Sequence, residues 1–146
     1  MRTWTTRRTV DADPGALLDV LTDPRACRRW APVAFDVDGL AECDRLTAGT
    51  RARVSGRLAG RSVGFDVEVD EADRHAVALR ASGPVALEVR YDLAPAGAGS
   101  ELRASIGVRP GGGLLGRLAA EATNALLGAG LLDTAVARLA REAATA

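Results

Sequence analysis

Val63-Gly64-Phe65-Asp66-Val67-Glu68-Val69-Asp70 alternates apolar side chains with small or charged ones at strict period two. A strand with that pattern has one dry face and one wet face. The pattern recurs as Val85, Leu87, Val89, Tyr91 and Leu93 set against Ala86, Glu88, Arg90 and Asp92. It recurs again as Leu102, Ala104, Ile106 and Val108 against Arg103, Ser105 and Gly107. Weaker versions run through Phe35 and Val37, through Ala52, Val54, Gly56 and Leu58, and through Val77, Leu79 and Ala81. Turn signals separate them at Ala48-Gly49, Ala59-Gly60, Asp70 to Arg74, Ser82-Gly83-Pro84 and Pro95 to Ser100. Six strands at this spacing predict an antiparallel meander between Val33 and Arg109.

Outward from the meander, the N-terminal side reads as a Thr-rich strand over residues 3–10, then two short helices. Asp13-Pro14 opens the first, with Leu17, Leu18 and Leu21 as its buried stripe. Asp23-Pro24 opens the second, which runs through Cys27 to Trp30 and stops before Pro32. In both, the Asp carboxylate can accept a first-turn N–H, and Pro fits the first helical position because its missing donor is not needed there. After Pro110-Gly111-Gly112-Gly113 the period becomes helical. Leu118, Ala122, Ala125, Ala129, Leu132, Val136, Leu139 and Ala143 share one face, which predicts a long C-terminal helix with a bend at Gly128 and Gly130.

A length of 146 residues fits one domain, 1–146, with no repeat and no linker. Nineteen basic residues, all Arg, balance nineteen acidic ones. That balance argues against nucleic-acid binding by bulk charge. The apolar runs are too short for a transmembrane segment, and Met1-Arg2-Thr3-Trp4-Thr5-Thr6-Arg7-Arg8 lacks a signal-peptide core, so a cytoplasmic location is expected. Cys27 and Cys43 have no metal-ligand spacing, and the single His75 does not complete a site with them; reduced thiols, no metal and no cofactor are expected.

The order of strand, two short helices, six-strand meander and long C-terminal helix resembles the helix-grip fold of the SRPBCC or START-like superfamily. It is most similar to the bacterial polyketide cyclase/dehydrase branch. The resemblance lies in Val10-Asp11-Ala12-Asp13-Pro14 running into Leu17 and Val20, in Leu21-Thr22-Asp23-Pro24 followed by Trp30-Ala31-Pro32, and in Pro110 to Leu114 leading into the last helix. These are caps, turns and packing residues, so they speak for the fold more than for a reaction. The implied fold class is α+β, with a curved antiparallel sheet of about seven strands wrapped around the last helix.

One helix does not cover the whole apolar face of such a sheet, so a space between helix and sheet is expected, closed at one end by the short helices. Small residues facing it, Ala52, Gly56, Ala104, Ala122, Ala125 and Ala129, either leave an apolar cavity or let helix and sheet pack without a void. The resemblance favours the cavity. The expected ligand-binding residues are Val54, Phe65, Val67, Leu87, Val89 and Ala104 on the strands, Ala122, Ala125 and Ala129 on the helix, and Trp30 and Phe35 at the rim or packed under the short helices.

Two polar groups are candidates for chemistry. Tyr91 lies in phase with Val85, Leu87 and Val89, so its hydroxyl either orients or protonates a ligand oxygen or is a core tyrosine's OH at the rim. Asp133 sits near the edge of the buried helix face, either as a general base with a raised pKa or paired with an arginine. His75 follows a turn and reads as exposed. Arg28 and Arg29 flank Cys27 and could lower its pKa, although no base accompanies it.

Aromatase/cyclases of the similar branch associate pocket Arg, Ser and Tyr residues with folding and enolising a polyketide chain. This sequence departs from that pattern. Val67 and Val69 point inward, while Arg51, Arg53, Arg57, Arg80, Arg90 and Arg103 fall on the polar phase. The expected function is binding of a hydrophobic or aromatic small molecule, in a polyketide cyclase/dehydrase-like role. A non-catalytic carrier of a lipid, quinone or toxic metabolite is the alternative. A chaperone-activator-like module is a third reading, with Leu127 and Leu131 as its contact, and the same two leucines hint at a homodimer.

Overall fold

The structure, a computed structural model, describes residues 1–31, 35–38, 45–58 and 60–145. Cys43, Pro32, Val33 and Ala59 lie outside the described residues, as does the Leu58 side chain. The chain runs β1 (Arg2–Val10), α1 (Pro14–Thr22), α2 (Pro24–Trp30), β2 (Phe35–Asp38), β3 (Arg51–Leu58), β4 (Arg61–Ala72), β5 (Ala76–Ser82), β6 (Val85–Ala96), β7 (Gly99–Pro110), α3 (Gly113–Gly128) and α4 (Leu131–Thr145).

The seven strands form one antiparallel sheet in the order β1-β7-β6-β5-β4-β3-β2. β2 to β7 are the predicted meander, and β1 returns to pair with β7 along its whole length, from Arg2 opposite Val108 to Val10 opposite Ser100. Both short helices are capped as their Asp-Pro openings require. Asp13 accepts from the Ala16 N–H at 2.8 Å, and Asp23 accepts from the Arg25 N–H at 3.0 Å.

The outer face of the sheet is a ladder of ion pairs. Arg53 and Asp66 stand opposite each other in register and pair at 2.8 Å. Arg80 pairs with Asp70 at 2.9 Å and with Glu68 at 3.2 Å, while Arg90 pairs with Asp92 at 2.8 Å and Glu71 at 3.2 Å. Arg51, Arg53, Arg57, Arg80, Arg90 and Arg103, expected on the polar phase, are all exposed, so none of them brings charge into the interior.

The C-terminal helical segment breaks in two at Gly130, whose φ of +99° suits glycine alone among ordinary residues. α4 keeps the predicted phase, burying Val136, Leu139 and Ala143 against α1, α2 and β1. α3 does not. It buries Gly116, Ala120, Thr123 and Leu127 on β6 and β7, whereas Leu118 is 53% exposed and Ala125 and Ala129 are also exposed. Leu127, expected on the outside, is 7% exposed, and Leu131 is half-buried. α3 is apolar on two sides, and the Gly128–Gly130 break frees it from the phase of α4, so the sheet takes the other stripe. Close approach explains the choice. A Cβ on Gly116 would lie 2.4 Å from the Gly111 carbonyl carbon, so the start of α3 packs on backbone.

Candidate ligand cavity

The inward phase of β2 to β6 meets α2 across a gap that α3 and α4 do not reach. The cavity there has a volume of about 240 Å³ and is lined by sixteen described residues. The floor is Val54, Val67, Val69, Val77 and Leu79 from the central strands, with Phe35 and Val37 from the edge strand β2. The roof is Leu21, Pro24, Cys27, Trp30 and Ala31 from the two short helices and the residue after them. Thr50, Leu46, Ala52 and Tyr91 complete it, and no charged side chain is among the sixteen.

Of the expected ligand-binding residues, Trp30, Phe35, Val54 and Val67 come together here, and so does Tyr91. Phe65 and Leu87 instead pack with Val85, Val108, Ala120 and Leu127 in a separate core cluster under α3. Ala104 is buried beside Tyr91, and Val89 packs against the same cluster. Ala122 is half-buried, and Ala125 and Ala129 face outward on α3. Close packing of helix onto sheet, the second reading, falls instead to Gly116 and Ala120 on α3, while Ala125 and Ala129 take no part in it. The void lies at the short-helix end, where no long helix covers the sheet. Val69, Val77 and Leu79 were legible as dry-phase residues; their place in the cavity needed the position of α2.

Tyr91 and Trp30 are both 8% exposed and meet edge to face. Burial, and secondarily the nearby Cys27, pushes the Tyr91 hydroxyl well above the ordinary phenol range, which keeps it a neutral donor. Burial also pushes the Cys27 thiol up to about 12, with the Asp23 carboxylate adding to the effect and the Trp30 side chain opposing it. The lowering that Arg28 and Arg29 could have exerted does not prevail: both guanidiniums are exposed and desolvation dominates. The Cys27 S–H donates to the Leu21 carbonyl at 3.4 Å. The Trp30 indole N–H lies near the Cys27 sulfur but forms no hydrogen bond of ordinary geometry among the described residues.

Asp133 is exposed in the first turn of α4 and accepts a hydrogen bond from the Thr6 hydroxyl on β1, away from the cavity lining. His75 is exposed, and its backbone N–H donates to Asp73 at 2.7 Å. Among the described residues no three His, Cys, Asp or Glu side chains gather to hold a metal ion, and no helix is long and apolar enough to cross a membrane. A second groove, lined by Arg51, Arg53, Asp66, Glu68 and Arg80, belongs to the ion-pair ladder of the outer face.

The family described as polyketide cyclase / dehydrase and lipid transport matches residues 1–144. A comparison with curated proteins finds no match. Among solved structures, protein CV1439 from Chromobacterium violaceum is similar with a TM-score of 0.71 and 18% identity, covering 97% of this chain and 96% of its own. DynU16, of the dynemicin biosynthetic locus, gives 0.61 at 26% identity over 95% of this chain, which spans 46% of the DynU16 chain. Ara h 8.0201 gives 0.59 at 13% identity, covering 94% of this chain and 97% of its own. The seven-stranded curved sheet, the two short helices after β1 and the C-terminal helical segment are the helix-grip arrangement, and with the match over nearly its whole length the chain belongs to the polyketide cyclase/dehydrase and lipid transport family of the SRPBCC superfamily.

Proposed function

We propose that this protein binds a hydrophobic or aromatic small molecule in the cavity under α2 and serves in a polyketide cyclase/dehydrase-like role in the bacterial cytoplasm. The observation that carries the reading is the cavity itself: about 240 Å³, with none of its sixteen described lining residues charged. The likeness to a protein of the dynemicin biosynthetic locus supports a biosynthetic setting. In such a role the chain acts mainly by holding a flexible apolar substrate in a reactive shape, with the Tyr91 hydroxyl against a substrate oxygen. Asp133 has no part in it, since it faces solvent beside Thr6.

A non-catalytic carrier of a lipid, quinone or toxic metabolite is the second reading. Among the described lining residues none is a carboxylate or a histidine, which favours it. The chaperone-activator-like reading loses its contact, because Leu127 is buried. A homodimer remains part of the proposal, on a different surface. Leu114, Leu115, Leu118 and Leu126 form an exposed apolar arc on α3, and Arg117 and Glu121 lie along its edge one turn apart. Two copies related by a two-fold axis bring the Arg of one to the Glu of the other. The helix lacks the basic flank that an anionic lipid surface would call for.

Mass spectrometry of the protein purified under native conditions tests the main reading: an apolar molecule should travel with it. A protein that carries none, and takes up no apolar probe when offered one, overturns the reading.

A further inference from the structure

The dry face of the sheet is divided. One part floors the cavity, and the other is covered by the packed cluster of Val85, Val108, Ala120 and Leu127 under α3. Phe65 stands between them. It lies opposite Val54 in register and two residues before Val67 on the same strand face, and both valines line the cavity. Its own ring is not part of that lining and packs against the cluster under α3. Register partners and residues two apart on one strand face are direct neighbours, so the ring closes the cavity on the α3 side. A Cβ on Gly83 would come within 2.8 Å of the ring, so glycine there leaves the ring room to lie against the connection between β5 and β6.

The other end of the same face is shut by Trp30 and Tyr91, which meet edge to face. Both belong to the core in which Leu17, Leu102 and Leu139 are fully buried. Between these two stops the chamber has a volume of about 240 Å³. An apolar cavity of roughly 150 Å³ accepts benzene, so by proportion this one has room for about ten carbon atoms.

We infer that Phe65 sets the size limit of the ligand, and that the cavity takes a compact apolar molecule of about ten buried carbons, two fused rings in class. This rests on the cavity being the binding site. A long acyl chain or a four-ring skeleton leaves a large part of its surface in water. Phe65, expected from the sequence as a ligand contact, acts instead as a stop: its ring occupies the volume that a longer ligand would need.

Straight-chain primary alcohols from 1-hexanol to 1-tetradecanol, titrated into the full chain by calorimetry, read the limit. Each methylene that enters the cavity should tighten binding about fourfold, and each one left outside should add almost nothing. In the wild-type protein the gain should stop at about ten carbons. Phe65→Ala should move the stop up by about four to six carbons, because it frees roughly the room of a benzene ring. Phe65→Val should move it by about two to three carbons, and serves where loss of the whole ring unfolds the protein. Val108→Ala loosens the same cluster away from the cavity lining and should leave the stop in place. Affinity still climbing at 1-tetradecanol in the wild-type protein overturns the size limit. A stop that neither Phe65 variant moves, or that Val108→Ala moves equally, overturns the role of Phe65. These results leave the cavity reading intact. If no alcohol binds, the cavity reading falls and this inference with it.

Discussion

The rings of Trp30 and Tyr91 meet edge to face with centroids 6.0 Å apart and planes at 89°. One comes from α2 and the other from the middle of β6, so the contact pins the roof of the cavity to its floor. Below it the sheet is dry, and its polar residues face the other way.

Two neutral groups beside that contact, Tyr91 and Cys27, give stability a definite pH dependence. Tyr91 and Cys27 both have raised folded-state pKa values, so the folded state holds their protons where the unfolded chain releases them. Their contribution is fully present below the unfolded thiol's 9.0 and is lost as pH rises towards about 12. Each group adds a slope of at most about 1.4 kcal/mol per pH unit in that window. Urea unfolding should show stability flat from neutral pH to 9.0 and falling above it, with the onset delayed in Cys27→Ala. Tyr91 is the only tyrosine, so its tyrosinate absorbance should emerge together with unfolding and not before.

Cys27 should also be a slow nucleophile. In a Cys43→Ser background, a disulfide reagent at neutral pH should label it at least about a hundredfold more slowly than a free thiol, because little thiolate forms. Labelling as fast as glutathione would mean that Arg28 and Arg29 govern the thiol after all.

Filling the cavity should stop binding without unfolding the protein. Val67→Phe adds a ring from the floor, and affinity for the neutral dye N-phenyl-1-naphthylamine should fall at least about tenfold with a stability change of roughly 1–3 kcal/mol or less. Unchanged affinity would place the dye elsewhere.

Close packing at the start of α3 should be intolerant of even one methyl. A Cβ at Gly116 would sit 2.4 Å from the Gly111 backbone, so Gly116→Ala should cost about 1–3 kcal/mol in chemical unfolding. At Gly112 a Cβ meets nothing within 4 Å and φ is −70°, so Gly112→Ala should be nearly neutral.

The exposed arc of α3 should hold two copies together. Sedimentation should give a dimer that Leu118→Glu and Arg117→Glu each weaken, and the double variant Arg117→Glu/Glu121→Arg should restore it. A wild-type monomer at micromolar concentration removes the dimer from the proposal.

What the residues determine by themselves is everything local. Period-two alternation marked the strands of the sheet, Asp-Pro marked both short helices, and the polar phase put every strand arginine outside. These features depend on neighbours in sequence, and a linear reading finds them. Three things depended on the packed molecule. α3 offers two apolar stripes, and only contact with β6 and β7 selects the one bearing Leu127 over the one bearing Leu118. A cavity is volume left between elements, so its place under α2, away from Ala122, Ala125 and Ala129, follows from which part of the sheet the helices leave bare. The Cys27 thiol is governed by burial against that cavity, which outweighs the two arginines beside it in the chain because their charges stay in water.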